Sequence, residues 1–146
     1  RKSAVEAMAI LTPIEAIEPL AQALRDSSLG VRLLAGHALG RIGEPAVDVL
    51  LQARRDSDSK VRDIAIATLG KIVGKDGKVP QIVKNELKSV LTDEKEESTV
   101  KLTAVQALYK IGDLEAIAEL RKTSASKDPA LSAFINELLA KEPVKM

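Results

Sequence analysis

Cysteine and tryptophan are absent from this sequence, and Tyr109 and Phe134 are its only phenyl-bearing residues. Without a thiol, the chain has no disulfide bridge, no thiolate zinc site and no cysteine nucleophile, and its redox compartment is left undetermined. A core with so few rings must be built from Ala, Leu, Ile and Val. That composition favours closely packed helices.

The charge balance lacks an excess of either sign. Twenty-two Lys and Arg residues stand against 21 Asp and Glu residues, a formal net charge of +1. Such a chain carries no global field of the kind that draws a protein to a polyanion. The composition therefore indicates no nucleic-acid partner.

Long apolar runs are also missing. Every apolar run is far shorter than the roughly 20 residues that a membrane-spanning helix needs, so we expect a soluble chain with no membrane partner. The chain begins Arg1-Lys2-Ser3-Ala4 without an apolar signal region. Its first helix starts in the middle of the apolar pattern, without the residues that would begin it. We expect residues 1–146 to form a single repeat domain that is a candidate fragment of a longer protein.

A repeated segment dominates what the sequence does contain. Residues 26–42 align with residues 56–72 at a shift of 30, and a third copy at residues 100–112 follows at a shift of 39, which reflects an insertion of nine residues. A weaker fourth copy covers residues 131–139. A period of about 20 to 50 residues is typical of solenoids.

Each copy carries its apolar residues on one helical face. In the first copy they stand at relative spacings 0, 4, 7, 8 and 11: Val31, Ala35, Ala38, Leu39 and Ile42. Ser28 and Asp58 precede two of these helices as caps, and Asp128 followed by proline fits a third. Gly43 and Gly112 stand where a left-handed residue ends a helix.

Shorter helices alternate with these, near residues 14–25, 45–55, 79–91 and 114–122. Residues 12–15 have the pattern of a capping box. Pro19 then either kinks the helix or marks its true start, and we favour a short bent first turn. Each hairpin is unable to bury its apolar stripe alone, so neighbouring hairpins must stack. Small residues at repeat positions, such as Ala35, Ala65 and Ala104, permit close helix packing.

The repeated elements resemble one known family. They are an Asp, a Val-Arg pair, an Ala, an Ala-Leu-Gly and an Ile-Gly: Asp26, Val31-Arg32, Ala35, Ala38-Leu39-Gly40 and Ile42-Gly43. Through them, residues from about 4 to 140 resemble HEAT repeats, specifically the short type first noticed in phycobilisome lyases. The resemblance implies an all-α, right-handed α-α superhelix of about four to five helical hairpins. Tyr109, Val73 and the insertion around residues 74–78 depart from the pattern, which affects the regular curvature near the third repeat.

Charged residues recur at fixed positions of the repeat. Arg32, Arg62 and Lys101 occupy one position, and Asp26 and Asp56 another. These residues could grip an anionic partner, but the resemblance favours an Asp–Arg network that links successive hairpins.

Each helical hairpin consists of a shorter first helix and a longer second helix, and the second helices carry the repeat copies. A second set of cations recurs in the last turn of these second helices. It consists of Arg41, Lys71 and Lys110. Positive charge there complements the helix dipole by ~0.3–1 kcal/mol, which accounts for these residues by itself. The alternative is a clamp for a phosphate or carboxylate.

The outward positions of the second helices form the candidate site. In the family these helices line the concave side, where Leu33, Ile66, Leu102 and Val105 would be exposed apolar residues beside Tyr109. Such a patch with a polar rim fits a protein-binding surface, or packing against a further part of the same protein. The predicted partner-binding residues are Leu33, His37, Arg41, Ile66, Lys71, Leu102, Val105, Gln106, Tyr109 and Lys110.

No pattern predicts a metal, cofactor or catalytic site. His37 is the only histidine, and a lone imidazole without cysteine cannot form the usual set of transition-metal ligands. The acidic run at residues 93–97 lacks the spaced ligands and turn glycine of a calcium loop. We therefore predict no cofactor.

These observations predict a non-catalytic scaffold that holds a partner helix or extended segment on its concave face. The resemblance raises an alternative, a lyase or lyase subunit acting on a bilin chromophore, although few aromatic or histidine residues could orient a pigment. DNA binding like that of HEAT-fold glycosylases is disfavoured by the neutral charge. Di-iron HEAT hydroxylases need several His-Glu pairs, which this sequence lacks.

Overall fold

The chain forms the predicted succession of helices. The computed structural model describes residues 2–11 and 14–141, in which every regular element is helical. The bounds are α1 Lys2–Leu11, α2 Ile17–Ala23, α3 Leu29–Ile42, α4 Val47–Ala53, α5 Ser59–Leu69, α6 Gln81–Thr92, α7 Ser98–Ile111, α8 Leu114–Thr123 and α9 Pro129–Lys141. Short 3-10 turns at Ile14–Ala16 and Glu44–Ala46 lead into α2 and α4. The all-α fold is confirmed.

The helices group into two compact units, Arg1–Pro80 and Gln81–Met146. In the first unit α1, α3 and α5 lie side by side, while α2 and α4 form a second layer against them. In the second unit α6 and α8 form one layer, and α7 and α9 form the other. Each unit is thus a stack of helical hairpins. The single domain expected for residues 1–146 stays a prediction.

The predicted apolar face of α3 forms the core of the first unit. Val31, Ala35, Ala38 and Leu39 are buried, and Ile42 in the last turn is half-buried. Ala35, Ala38 and Leu39 have no exposed area at all. Burial of a side chain such as Leu39 contributes about 1.5–3 kcal/mol to folding.

The predicted caps are confirmed in the structure. Ser28 Oγ accepts a hydrogen bond from the N–H three residues on at 3.5 Å, and Asp58 Oδ1 accepts one from the N–H two residues on at 2.9 Å. Asp128 Oδ1 accepts two, from N–H groups in the first turn of α9. Gly43 and Gly112 end α3 and α7 with φ angles of 84° and 65°, which L side chains rarely adopt.

One departure from the repeat changes the end of α5, and a proline stands near the start of α2. Val73 stands where the first copy has its terminal glycine, and α5 ends earlier, at Leu69, in a tight turn in which Ile72 N–H donates to the Leu69 carbonyl at 3.2 Å. Pro19 lies in the first turn of α2, where a missing N–H breaks no helical bond. The first two residues of the expected capping box, 12 and 13, lie outside the described residues.

The repeated Asp and Arg residues hold the turns between helices. Asp26 Oδ1 accepts a hydrogen bond from the backbone N–H two residues on at 2.9 Å, and Arg32 Nη1 donates to the Asp26 carbonyl at 2.8 Å. Asp56 and Arg62 repeat both bonds at the same distances. Successive hairpins are linked by Arg25, which pairs with Asp56 at 2.6 Å. These contacts favour the structural interpretation of the Asp–Arg set.

The fourth copy makes the same turn with hydroxyl groups. Ser126 stands at the Asp position and its Oγ accepts a hydrogen bond from Asp128 N–H at 3.1 Å. Ser132 stands at the Arg position and its Oγ donates to the Ser126 carbonyl at 3.0 Å. The turn therefore depends on a hydrogen-bond pattern that two different pairs of side chains can supply.

Candidate protein-binding surface

The outer face of α3 carries a continuous exposed stripe. Leu29, Leu33, His37 and Arg41 follow one another at intervals of four residues, which places them on one side of the helix. Leu29 and Leu33 are 57% and 55% exposed. Three of these four are predicted site residues; Leu29 was missed, although its spacing from Leu33 is the signal that identifies it. We call these four residues the α3 stripe.

The predicted exposure of Ile66 on α5 is wrong, because Ile66 has no exposed area. The equivalent residue of α3 is Gly36, which is buried against α5: a Cβ added there would lie 2.8 Å from Ile64 Cγ2. At Gly36 this repeat position therefore faces α5 rather than solvent, and at Ile66 it is buried too. Lys71, two residues beyond the end of α5, is exposed as expected.

On α7 in the second unit, too, some predicted site residues are exposed and one is buried. Gln106 and Lys110 are exposed, and Leu102 and Tyr109 are half-buried. Val105, which was expected to be exposed, has no exposed area. The reason is that α7 is covered by three neighbours, α6, α8 and α9, so its buried arc is wider than a single stripe.

Arg41 and Lys71 meet at an open cleft in the first unit. The cleft has a volume of about 1120 Å³ and lies between the end of α3 and the segment that follows α5. We call it the loop cleft; its lining residues are Gly40–Pro45, Lys71, Val73–Asp76, Lys78 and Pro80. Sequence reasoning identified the insertion but did not predict a cleft beside it.

The inserted segment is fixed by local hydrogen bonds and by Glu44. Gly74 N–H donates to the Lys78 carbonyl at 2.8 Å, which closes a tight turn. Glu44 Oε1 accepts a hydrogen bond from Lys75 N–H at 3.2 Å. A Cβ on Gly74 would lie only 2.6 Å from that same oxygen, so glycine allows the close approach. The loop is thereby held against the start of α4.

Positive charge exceeds negative charge around the loop cleft. The lining side chains include four cations and two carboxylates: Arg41, Lys71, Lys75, Lys78, Glu44 and Asp76. Both carboxylates accept backbone hydrogen bonds of the loop, Glu44 from Lys75 N–H and Asp76 Oδ1 from Lys78 N–H at 3.0 Å. The acidic groups therefore shape the loop, while the cations give the cleft its net charge.

A separate ionic cluster joins α6 to α8 in the second unit. Lys84 contacts Asp113, Lys88 Nζ lies 2.7 Å from Glu115 Oε1, and Gln81 Nε2 donates to the same oxygen at 2.8 Å.

These contacts shift the pKa values of the groups in the cluster. The hydrogen bond to Asp113 raises the pKa of Lys84. Partial burial alone would raise the pKa of Asp113, but the hydrogen bonds from Lys84 and from a backbone N–H hold it below its ordinary value. The hydrogen bonds from Lys88 and Gln81 lower the pKa of Glu115. Every charge is satisfied within the cluster, which fits a structural clamp.

Within residues 2–11 and 14–141, no group of three or more His, Cys, Asp or Glu side chains could hold a metal ion. Nor does any helix there have the length and apolar character to cross a membrane.

Comparison with known families matches this architecture. A family model described as HEAT repeats matches residues 1–70 and 47–138. The chain therefore belongs to the HEAT-repeat family, whose members generally mediate protein–protein interactions. A search of curated proteins gives no match.

Proposed function

We propose that this chain is a non-catalytic scaffold whose second helices bind another protein. The observation that carries the proposal is the α3 stripe, in which two leucines more than half exposed precede His37 and Arg41. An apolar centre with a polar margin is the usual composition of a protein-binding patch. Membership of a family of interaction modules supports the same conclusion.

The stripe fits a partner helix or an extended segment laid along α3. Leu29 and Leu33 are one helical turn apart, so their side chains form a single apolar ridge. The ridge is not required for the core, since Leu39 and its neighbours already fill that role. Burying these two leucines against a partner would remove apolar surface from water, at about 25 cal/mol per Å².

The finer features of the proposal rest on the sequence resemblance. We assign the repeats to the short, phycobilisome-lyase-like type, because of the shift of 30 residues and the Asp and Val-Arg elements. In that type the second helices line the concave side, where we place the partner. Lyase activity on a bilin is not proposed: one histidine and two phenyl rings give a tetrapyrrole little to contact. A bilin titration should leave the pigment absorbance unchanged.

The exposed face of α7, in the second unit, is a second proposed binding surface. Gln106 and Lys110 are exposed there, with Leu102 and Tyr109 half-buried beside them. Leu102→Asp and Tyr109→Ala should each weaken partner binding while the protein stays folded. Circular dichroism and thermal unfolding of each variant would establish that the fold is retained.

The test of the α3 stripe is affinity capture with a matched control. Leu33→Asp should abolish capture of a partner from an extract of the source cell. Leu114→Asp makes the same change on α8, a first helix, at a side chain that is 66% exposed, and it should capture the partner as the native chain does. A photo-crosslinking amino acid at each of the two positions would then show direct contact at residue 33 alone. Equal capture by both aspartate variants, or crosslinking at residue 114 only, would contradict the proposed surface.

A further inference from the structure

We infer that the loop cleft binds an acidic peptide segment with interspersed apolar residues. The inference rests on the proposed function, because it names the chemistry of one part of the partner. Arg41 belongs both to the α3 stripe and to the lining of the loop cleft, so the two surfaces are continuous on the first unit. A segment that follows the stripe to the end of α3 reaches the cleft.

The distribution of cations supports an anionic ligand. Arg41 in the last turn of α3 complements the helix dipole, and Lys71 lies just beyond the end of α5. That explanation does not extend to Lys75 and Lys78, which belong to the loop and not to a helix end. In the described part of the chain, Lys71, Lys75 and Lys78 form no ion pair. Their charges are available to a ligand.

The loop is organised before any ligand arrives. Its turn is closed by the bond from Gly74 N–H to the Lys78 carbonyl, and Glu44 ties it to the start of α4. A Cβ at position 74 would lie 2.6 Å from Glu44 Oε1, so a larger residue there would displace the end of that side chain. Preorganisation of this kind reduces the entropy that binding must overcome, which favours a binding role for the loop.

The apolar lining and the size of the cleft favour a peptide over a small anion. Val73, which is 52% exposed, lines the cleft with Ile42, Pro45 and Pro80. A bare phosphate would leave these carbons in water. The volume of about 1120 Å³ exceeds the roughly 300–1,000 Å³ of most small-molecule sites, and the cleft is open along one side. A chain of alternating acidic and apolar residues uses both kinds of lining.

The test uses a short fluorescein-labelled peptide of alternating Glu and Leu residues and fluorescence anisotropy. The double variant Lys75→Glu/Lys78→Glu should bind it about tenfold more weakly than the native chain. The control Lys60→Glu/Lys122→Glu changes the net charge equally at exposed sites outside the cleft, and it should bind within about twofold of the native chain. Glu44→Gln keeps the oxygen that accepts the loop hydrogen bond but removes a negative charge, so binding should tighten about threefold.

Several results would overturn the inference. They are no binding by the native chain, equal weakening by the two double variants, weaker binding by Glu44→Gln, or equal binding of a peptide with Gln in place of Glu. Displacement of the peptide by inorganic phosphate or by a single-stranded oligonucleotide at equal concentration would assign the cleft to another ligand and would also overturn it. The proposed function is tested separately: if Leu33→Asp still captures the partner, the α3 stripe fails whatever the peptide does.

Discussion

Two glycines of α3, one turn apart, provide a sharp test of how closely α3 and α5 pack. Gly36 and Gly40 both lie inside the helix, between Leu29 and Ile42. A Cβ on Gly40 would lie 3.6 Å from Thr68 Cγ2, an ordinary van der Waals contact. A Cβ on Gly36 would lie 2.8 Å from Ile64 Cγ2 and 3.1 Å from Thr68 Oγ1, so that neighbouring atoms would have to move. The same substitution is therefore expected to have opposite effects at the two positions.

The size of each effect follows from two opposing terms. Replacing a glycine inside a helix by alanine increases the free energy of unfolding by about 0.5–1 kcal/mol, because the unfolded chain has fewer conformations to lose. At Gly40 nothing opposes this gain. At Gly36 overpacking costs about 1–3 kcal/mol, which exceeds the gain. We expect Gly40→Ala to be more stable than the native chain, and Gly36→Ala to be less stable than Gly40→Ala by about 1–3 kcal/mol.

Urea unfolding followed by far-UV circular dichroism measures this difference. The double variant Gly36→Ala/Ile64→Ala is the control, because removing Ile64 Cγ2 should make the alanine at position 36 less harmful than it is alone. If Gly36→Ala stabilises the protein as much as Gly40→Ala does, the close packing of α3 on α5 is refuted. If the control shows no coupling between the two positions, the steric explanation is refuted.

Four other substitutions have expected outcomes. Leu39→Ala should lower the free energy of unfolding by about 2–5 kcal/mol, whereas Leu33→Ala should change it by less than about 0.5 kcal/mol, and comparable urea midpoints would contradict the assigned burial. Gly43→Ala should destabilise the chain by about 1–3 kcal/mol in thermal unfolding through backbone strain alone, since a Cβ there meets nothing within 4 Å. Because the pKa of Asp113 is below its ordinary value of 3.8 in the folded protein, its ionised form stabilises the fold above that pH, and the stabilisation is lost as the pH falls through the folded pKa. Asp113→Asn should therefore lose stability less steeply than the native chain on acidification, in urea titrations at a series of pH values; parallel profiles would contradict the role of Lys84.

Local features of this fold could be predicted from the sequence because their causes are local. The caps at Ser28 and Asp58 depend on N–H groups two or three residues away. The helix ends at Gly43 and Gly112 depend on one backbone angle each. These signals involve only residues that are close in sequence, so the starts and ends of the helices could be predicted from them.

Exposure could not be predicted as well, because it depends on neighbours that are distant in sequence. The apolar spacing within one copy describes a helix covered on one side, whereas α7 is covered by α6, α8 and α9. Val105 belongs to that wider buried arc, and Ile66 on α5 is fully buried as well. The signal in the sequence was Gly36, the equivalent residue of α3, because a glycine at this repeat position indicates close packing rather than exposure.

The loop cleft was equally inaccessible to sequence reasoning. Residues 74–78 were recognised as an insertion, but the residue that fixes them is Glu44, in the preceding hairpin. No periodic pattern joins Glu44 to Lys75. Only the folded chain brings the two together, and with them the cations of the cleft.

Asp26 and Arg32 form a turn that Ser126 and Ser132 form again with different side chains. This repetition is useful for protein engineering. One version uses charged side chains, whose interactions salt can screen. The other uses neutral hydroxyl groups. Both make the same two hydrogen bonds within the turn, but the charged version, at Asp56, also links successive hairpins through Arg25. A designer of hairpin arrays can therefore use the charged version where hairpins must be linked and the hydroxyl version where only the turn is needed.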